Sequence, residues 1–314
     1  LNDAASSSIA GTEHWTEKRL PDGTAARLFL WRRQPVGSPR GTILFVHGSS
    51  MASTPSFDLV IPGKPDSSVM QWFASRGFDA WCLDNEGYGR SSKHRDITYD
   101  IACGADDLEA ASAYVLDRTG AGRLLVYGSS SGALKAAVFA ARRPERVARL
   151  ALDAFVWTGE GSPTLEQRRR KLPEYQAGGN RRPIDRAFVR SIFERDHPGT
   201  ADEATINAFA DAILALDTSV PIGTYVDMCL NLPVVQPRDL TMPTLIMRGQ
   251  YDGIAGFDDL LAFFRLLPNP DRQFSVMPGI AHASFKQMNY RTAFHILAGF
   301  FEAPPLVLAG SPMH

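Results

Sequence analysis

The chain has 314 residues, 44% of them hydrophobic and 21% charged, with a formal net charge of -1. That length can bury a full core, the composition is ordinary for a soluble enzyme, and the near-zero charge gives no electrostatic reason to expect nucleic acid or an anionic membrane surface as partner. Three scattered cysteines, Cys82, Cys103 and Cys229, suggest neither a disulfide framework nor a zinc site, and no apolar run approaches the ~20 residues of a membrane span.

The sequence opens on Leu1 and a small polar stretch from Asn2 to Gly11. This reads either as an end left by signal removal or as an arbitrary boundary. No charged or apolar leader region decides between them, so cytoplasmic and periplasmic or secreted locations both stay open. Ala26 to Arg33 and Gly41 to His47 read as strands, with antiparallel pairing at the first two strands, where Asp22-Gly23 forms a hairpin-like turn. Ser67 to Arg76 reads as a helix and Phe78 to Asp84 as a strand whose Cys82 belongs to the core. Asp100 to Arg118 is helical, with Ile101, Leu108, Ala111 and Val115 spaced for one buried face. A strand from Arg123 to Gly128, a helix from Gly132 to Arg142 and a strand from Val147 to Phe155 follow. The alternation then pauses over a stretch rich in Arg, Pro and polar helix formers. It resumes with a strand at Thr244 to Arg248, a helix at Phe257 to Leu267, a strand at Gln273 to Met277 and a closing helix from Lys286 to Phe301. Short apolar strands alternating with helices predict an α/β fold with a mostly parallel central sheet covered on both faces. The core spans 12–157 and 239–302, and residues 158–238 form an inserted helical cap.

One strand-to-helix junction carries the chemistry. Tyr127-Gly128-Ser129-Ser130-Ser131-Gly132-Ala133 has the form Gly-x-Ser-x-Gly. In a nucleophile elbow the serine takes up strained backbone angles, and the residues two before and two after it must be small. Ser130 has glycine at both positions, Ser131 would have Ser129 and Ala133, and Ser129 is excluded by Tyr127. Glycine at both positions suits the turn best, so Ser130 is the expected nucleophile.

A serine hydroxyl needs a base within hydrogen-bond reach and a third group that orients the base. Gly249-Gln250-Tyr251-Asp252-Gly253 places a carboxylate just past one strand, and Pro278-Gly279-Ile280-Ala281-His282 places an imidazole after the next. Ser130, Asp252 and His282 would then share the carboxyl edge of a parallel sheet, where ligands bind. Asp153, one strand earlier, is the rival acid; Asp252 is favoured because it keeps the order Ser…Asp…His with the acid one strand before the histidine. Phe45-Val46-His47-Gly48-Ser49 offers a second oxyanion donor, the N–H of Ser49, beside that of Ser131. His47 itself reads as structural.

These residues resemble the α/β-hydrolase fold, in its capped esterase, lactonase and epoxide-hydrolase-like branch, from about Thr16 to Phe301. The resemblance rests on Val46-His47-Gly48, on Asp84-Asn85-Glu86-Gly87-Tyr88-Gly89-Arg90-Ser91, on the elbow, and on the Asp252 and His282 loops. It implies a Ser130–His282–Asp252 triad with an oxyanion hole at the Ser49 and Ser131 N–H groups, although some related proteins carry the acid at an earlier strand. Glu86 stands where the family often has Arg, near the expected floor of the site. The long stretch Ser50 to Asp66 after the His-Gly turn is a second departure and is expected to form a pocket wall. Serine at the elbow argues against dehalogenases and epoxide hydrolases of this fold, which use Asp there.

The expected reaction is hydrolysis of a small-molecule carboxylic ester through an acyl-enzyme, with C–C (β-diketone) or amide hydrolysis as the alternative. A non-catalytic receptor on this fold is disfavoured because no triad member is missing. No metal or organic cofactor is expected: Ser92 replaces the third glycine of a dinucleotide fingerprint, and no P-loop or zincin motif is present. A homodimer is compatible with the sequence. Phe155, Trp157, Tyr225 and Met228 are candidate pocket residues, the last two three apart on one helix. The run Arg168-Arg169-Arg170-Lys171 either receives an acidic substrate such as a half-ester or is a solvated helix face.

Overall fold

A computed structural model describes residues 10–307. The polar stretch Asn2 to Gly11 therefore lies almost entirely outside the described residues. Eight strands form the main sheet: β1 (Gly11–Arg19), β2 (Ala25–Arg33), β3 (Gly41–Val46), β4 (Phe78–Leu83), β5 (Leu124–Ser129), β6 (Val147–Asp153) and, after a short ribbon of β7 (Arg181–Pro183) and β8 (Ser219–Pro221), β9 (Thr244–Gly249) and β10 (Arg272–Met277). Their order is β1-β2-β4-β3-β5-β6-β9-β10. Strand β2 runs antiparallel to both neighbours, and every pair from β4 to β10 is parallel.

The central parallel strands β3, β4, β5, β6 and β9 are largely apolar because both faces are covered, whereas the edge strand β10 is mixed. Leu44 and Val46 of β3, Val126 of β5 and Leu152 of β6 point to one face, against Leu108, Val115 and Phe139 of the helices 101–119 and 131–142. Ile43 and Phe45, Tyr127 and Ala151 point to the other, against Phe73, Phe294 and Leu297. Cys82 is fully buried on that second face, as core. Strand β1 has no apolar run of its own. It is half-exposed, held by pairing to β2 and by the turn in which Gly23 takes φ +84° and Asp22 Oδ1 accepts from Thr24 N–H at 2.9 Å.

Helix ends follow their caps more closely than their apolar pattern. Ser68 accepts from Gln71 N–H and starts a helix at Val69, and Asp100 accepts from Cys103 N–H and starts one at Ile101. The closing helix begins at Tyr290, after a 3-10 turn over Ser284–Lys286, later than its apolar content suggests. Strand β6 stops at Asp153, because Ala154 takes φ +51° and turns the chain away.

The connection from β6 to β9 contains five helices, Pro163–Arg170, Leu172–Ala177, Arg186–Glu194, Glu203–Leu214 and Gly223–Leu230, and the β7–β8 ribbon. It is not uniform. Residues from Ile184 to Val220 gather a separate cluster around Val189, Phe193, Phe209 and Ile213, joined by Tyr88 from the loop after β4. Leu165, Tyr225 and Met228 instead join the cluster on one face of the main sheet.

Candidate active site

Strand β5 ends at Ser129, the helix begins at Ser131, and Ser130 between them has φ 57° and ψ -126°. A non-glycine residue in this region costs about 1–3 kcal/mol, so the surroundings must over-determine it. They do. Ser130 N–H donates to Asp153 O at 2.9 Å. An added Cβ at Gly128 would lie 2.4 Å from Gly132 O, and one at Gly132 would lie 2.3 Å from Val46 O. Both flanking glycines are therefore sterically required, which selects Ser130 over Ser131. The Ser131 side chain is buried and its Oγ accepts from Ser49 Oγ at 2.7 Å.

The loops after β9 and β10 bring the other two side chains to the same edge. His282 Nε2 lies 3.0 Å from Ser130 Oγ, and its Nδ1 lies 3.1 Å from both carboxylate oxygens of Asp252. Asp252 Oδ1 also accepts from the N–H groups of Ile254 (2.9 Å) and Ala255 (3.2 Å). Burial alone would raise this carboxyl's pKa, but His282 and those N–H donors outweigh burial and bring it down to about 2. The carboxylate is thus charged, Nδ1–H points at it, and Nε2 is left to accept the serine proton.

Asp153 does not bond the ring. It accepts from Tyr127 O–H at 2.5 Å and Ser284 O–H at 3.0 Å, and burial pushes its pKa up to about 7 against those bonds. A third carboxylate, which the sequence reading did not single out, stands closer. Asp196, Asp252 and His282 have ligand-type atoms all within 4.8 Å of one another. Arg195 holds Asp196 with bonds of 2.8 and 2.9 Å. No sequence signal marks Asp196, which lies in a polar run of the β6–β9 connection.

Opposite the elbow, Gly48 packs on Ser130, where a Cβ would come 3.2 Å from Ser130 Cβ. The N–H groups of Ser49 and Ser131 have no protein acceptor among the described residues, and Tyr88 O–H donates to Ser49 O at 3.1 Å. His47 is structural: its Nε2 accepts from Asn85 N–H at 2.9 Å and its Nδ1 donates to Gly48 O at 2.8 Å. Burial and the nearby Lys135 hold its pKa well below the ordinary value.

A cavity of about 670 Å³, counting the space at its mouth, opens beside Ser130. Of the four expected pocket residues, Tyr225 lines it, while Phe155, Trp157 and Met228 do not. Phe155 and Trp157 pack against Phe263, with ring centroids 4.8 and 5.7 Å apart, and Met228 is buried in the core cluster. The wall is made instead by Met51, Ser56 and Phe57 from the stretch after the His-Gly turn, and by Ile192 and Phe209 from the β6–β9 connection. Of the basic run, Arg168 faces the cavity, and Arg169, Arg170 and Lys171 are exposed.

Tyr225 sits between two guanidiniums, with Arg168 4.0 Å and Arg182 4.2 Å from its ring centre. Burial would raise its phenol, but Arg168, Arg182 and a bond to Ser50 outweigh burial and bring it down to about 7.

Glu86 belongs elsewhere. It is absent from the cavity wall and buried in an ion network, with Lys18 Nζ at 2.7 Å and Arg95 bonding both its oxygens at 2.6 and 2.5 Å. Glu86, Cys103 and Asp107 bring metal-type ligand atoms together, but Lys18 and Arg95 fill that space with positive charge. The Asp196–Asp252–His282 group is likewise engaged by Arg195 and Ser130.

The model of the family described as serine aminopeptidase, S33, matches residues 37–288. The chain belongs to that family. It is a hydrolase of the α/β-hydrolase fold, and solved structures agree on the architecture. An esterase from Thermogutta terrifontis is 21% identical with a TM-score of 0.67, the alignment covering 92% of this chain and 97% of that one. An esterase from Exiguobacterium antarcticum is 15% identical with a TM-score of 0.65 over 92% and 100% of the two chains. A bromoperoxidase from Bacillus anthracis is 15% identical with a TM-score of 0.65 over 93% and 100%. At such identities the likeness shows the fold. No curated protein matches the hydrolase. Among its described residues no helix is long and apolar enough to cross a membrane.

Proposed function

We propose that this hydrolase cleaves carboxylic esters of small molecules by acyl transfer through Ser130. The observation that carries the reading is the unbroken hydrogen-bond chain Ser130–His282–Asp252, ending on a serine in a strained turn beside two unused N–H groups. His282 Nε2 takes the hydroxyl proton as Oγ attacks the ester carbonyl, and Asp252 stabilises the imidazolium that forms. The N–H groups of Ser49 and Ser131 receive the oxyanion, at a contribution of about 3 kcal/mol each. His282 then protonates the leaving alcohol. Water repeats the cycle on the acyl-enzyme and releases the acid.

The charge on the cavity wall favours esters over peptides with a free amino terminus. Arg168 lines it without a carboxylate partner, beside Arg195, which is paired with Asp196, and Lys286, whose pKa burial lowers to about 7; no Asp or Glu lines it. An aminopeptidase must hold an α-ammonium group, which such a wall repels. Residues 158–238 act in this reading as a cap over a core of 12–157 and 239–302, supplying Arg168, Arg195 and Tyr225 to the pocket.

The test is hydrolysis of a p-nitrophenyl ester series of increasing acyl length, beside Ser130→Ala and a fluorophosphonate probe. The expected result is turnover and labelling that both vanish in the variant. Turnover surviving in Ser130→Ala, or an unlabelled folded wild type, would overturn the reading.

A further inference from the structure

Buried charges in proteins are paired, because an isolated one costs several kcal/mol of lost hydration. The candidate site departs from this rule in one place. Arg168 is only 8% exposed and lines the cavity, yet its Nη1 has no hydrogen-bond partner, and its Nη2 reaches only the Tyr225 hydroxyl, at 3.3 Å. Arg182, outside the cavity lining but 4.2 Å from the centre of the same Tyr225 ring, donates to Ser50 Oγ at 2.6 Å and leaves a buried Nε unpartnered. Neither guanidinium has a carboxylate partner among the described residues. Arg195 does, in Asp196, so ion pairing is available in this neighbourhood where the fold uses it. Lys286, buried on the same cavity wall, also has an unpartnered Nζ. A chain with 33 basic and 34 acidic residues has thus placed only basic ones against the cavity.

Ser50 links this cluster to the chemistry. It follows Ser49, whose N–H is the proposed oxyanion donor, and its hydroxyl contacts both Arg182 and the Tyr225 hydroxyl, the latter at 3.4 Å. An anion held by Arg168 on the cavity wall would therefore belong to the molecule whose carbonyl faces Ser130.

We propose that the substrate is a half-ester of a dicarboxylic acid, its free carboxylate received by Arg168, whose Nη1 is unpartnered, while Arg182 holds Ser50 beside it and Ser130 attacks the ester carbonyl. This rests on reading Ser130 as an ester-cleaving nucleophile. Water adds across the acyl–oxygen bond in two steps, and the products are a dicarboxylate and an alcohol. A planar carboxylate matches a guanidinium fork, and a charge-assisted bond of this kind discriminates by about tenfold to a hundredfold against a neutral analogue.

The experiment separates binding from turnover. Calorimetry on Ser130→Ala, with the monoethyl esters of succinic, glutaric and adipic acid, is set against the same esters carrying a primary amide in place of the carboxylate. At least one acid is expected to bind tenfold or more tightly than its amide, and Arg168→Gln in the same background to bring that ratio below about threefold. Equal affinities for every acid–amide pair would overturn the proposal without involving any Arg variant. So would a ratio unchanged by both Arg168→Gln and Arg182→Gln; circular dichroism identifies a variant that has not folded, and the other then decides. Wild-type turnover distinguishes the two readings. Preferential binding of an acid without hydrolysis of any ester would remove the esterase reading and leave the anion site. Equal binding with equal hydrolysis of acids and amides would do the reverse.

Discussion

Replacing Gly132 by alanine tests the elbow where its geometry is tightest. The added Cβ would sit 2.3 Å from Val46 O, 2.6 Å from His47 O and 2.8 Å from His47 C. All three are backbone atoms at the end of β3, so no side-chain rotation relieves the clash. A tolerable contact requires the helix start and the β3 end to separate by about 0.7 Å or more. Overpacking of a rigid core costs about 1–3 kcal/mol, and backbone atoms place this site at or beyond the upper figure. The same separation moves Ser131 away from Ser49, pulling apart the two proposed oxyanion donors. A displacement approaching 1 Å costs about a hundredfold in rate. Gly299 is the internal control, exposed in the closing helix, with nothing within 4 Å of an added Cβ. Gly299→Ala should stabilise the protein by up to about 1 kcal/mol through helix propensity and leave turnover unchanged. Urea unfolding reads the stability difference, and kcat/KM on p-nitrophenyl acetate reads the rate. A Gly132→Ala protein that unfolds at the wild-type midpoint and turns over within threefold of wild type would refute the steric argument, and with it the assignment of Ser130 by its flanking glycines.

Asp252 and Asp153, the chosen acid and its rival, should part company on mutation. Asp252→Asn is expected to lower kcat by about four orders of magnitude through the wrong histidine tautomer, while Asp153→Asn, which loses no bond to the ring, should stay within about tenfold. Equal losses in a p-nitrophenyl ester assay would return Asp153 to the role of acid. Because Asp252 is depressed to about 2 in the fold, the unfolded chain binds more protons there. Its stabilisation, about 2 kcal/mol, is complete above about pH 5 and lost as pH falls towards 2. Urea midpoints measured down that range should drop in wild type and flatten in Asp252→Asn; parallel curves would contradict the assignment. Tyr225, brought down to about 7 by its two arginines despite burial, should give a phenolate absorbance near 295 nm that grows between pH 6 and 8. The signal should vanish in Tyr225→Phe, and its absence from wild type would mean that the guanidiniums do not dominate the phenol.

What the sequence makes legible is whatever the backbone enforces. Gly128 and Gly132 could be read because a Cβ at either meets main-chain atoms, so the requirement leaves its mark at fixed spacing. Asp252 and His282 could be placed because each follows a strand, and parallel connectivity puts both strand ends on one edge. Side-chain direction is not written in this way. Phe155, Trp157 and Met228 have the composition of a pocket wall, yet each turns into the core. Strand β1 lacks an apolar run because the half-exposed edge of a sheet needs none.

Glu86 finds its partners 68 residues before and 9 after it, in Lys18 and Arg95. Its oddity is therefore resolved only by a hairpin and a loop meeting in space. The same limit explains the basic run. Arg168 and Arg169 are neighbours of equal chemistry, one buried against the cavity and one exposed. Which of them faces the cavity follows from the phase of an eight-residue helix capped by Ser162. Moving that cap by one position would turn Arg169 towards Tyr225 instead. The proposed role of Arg168 therefore depends on the capping serine that starts its helix as well as on the arginine itself.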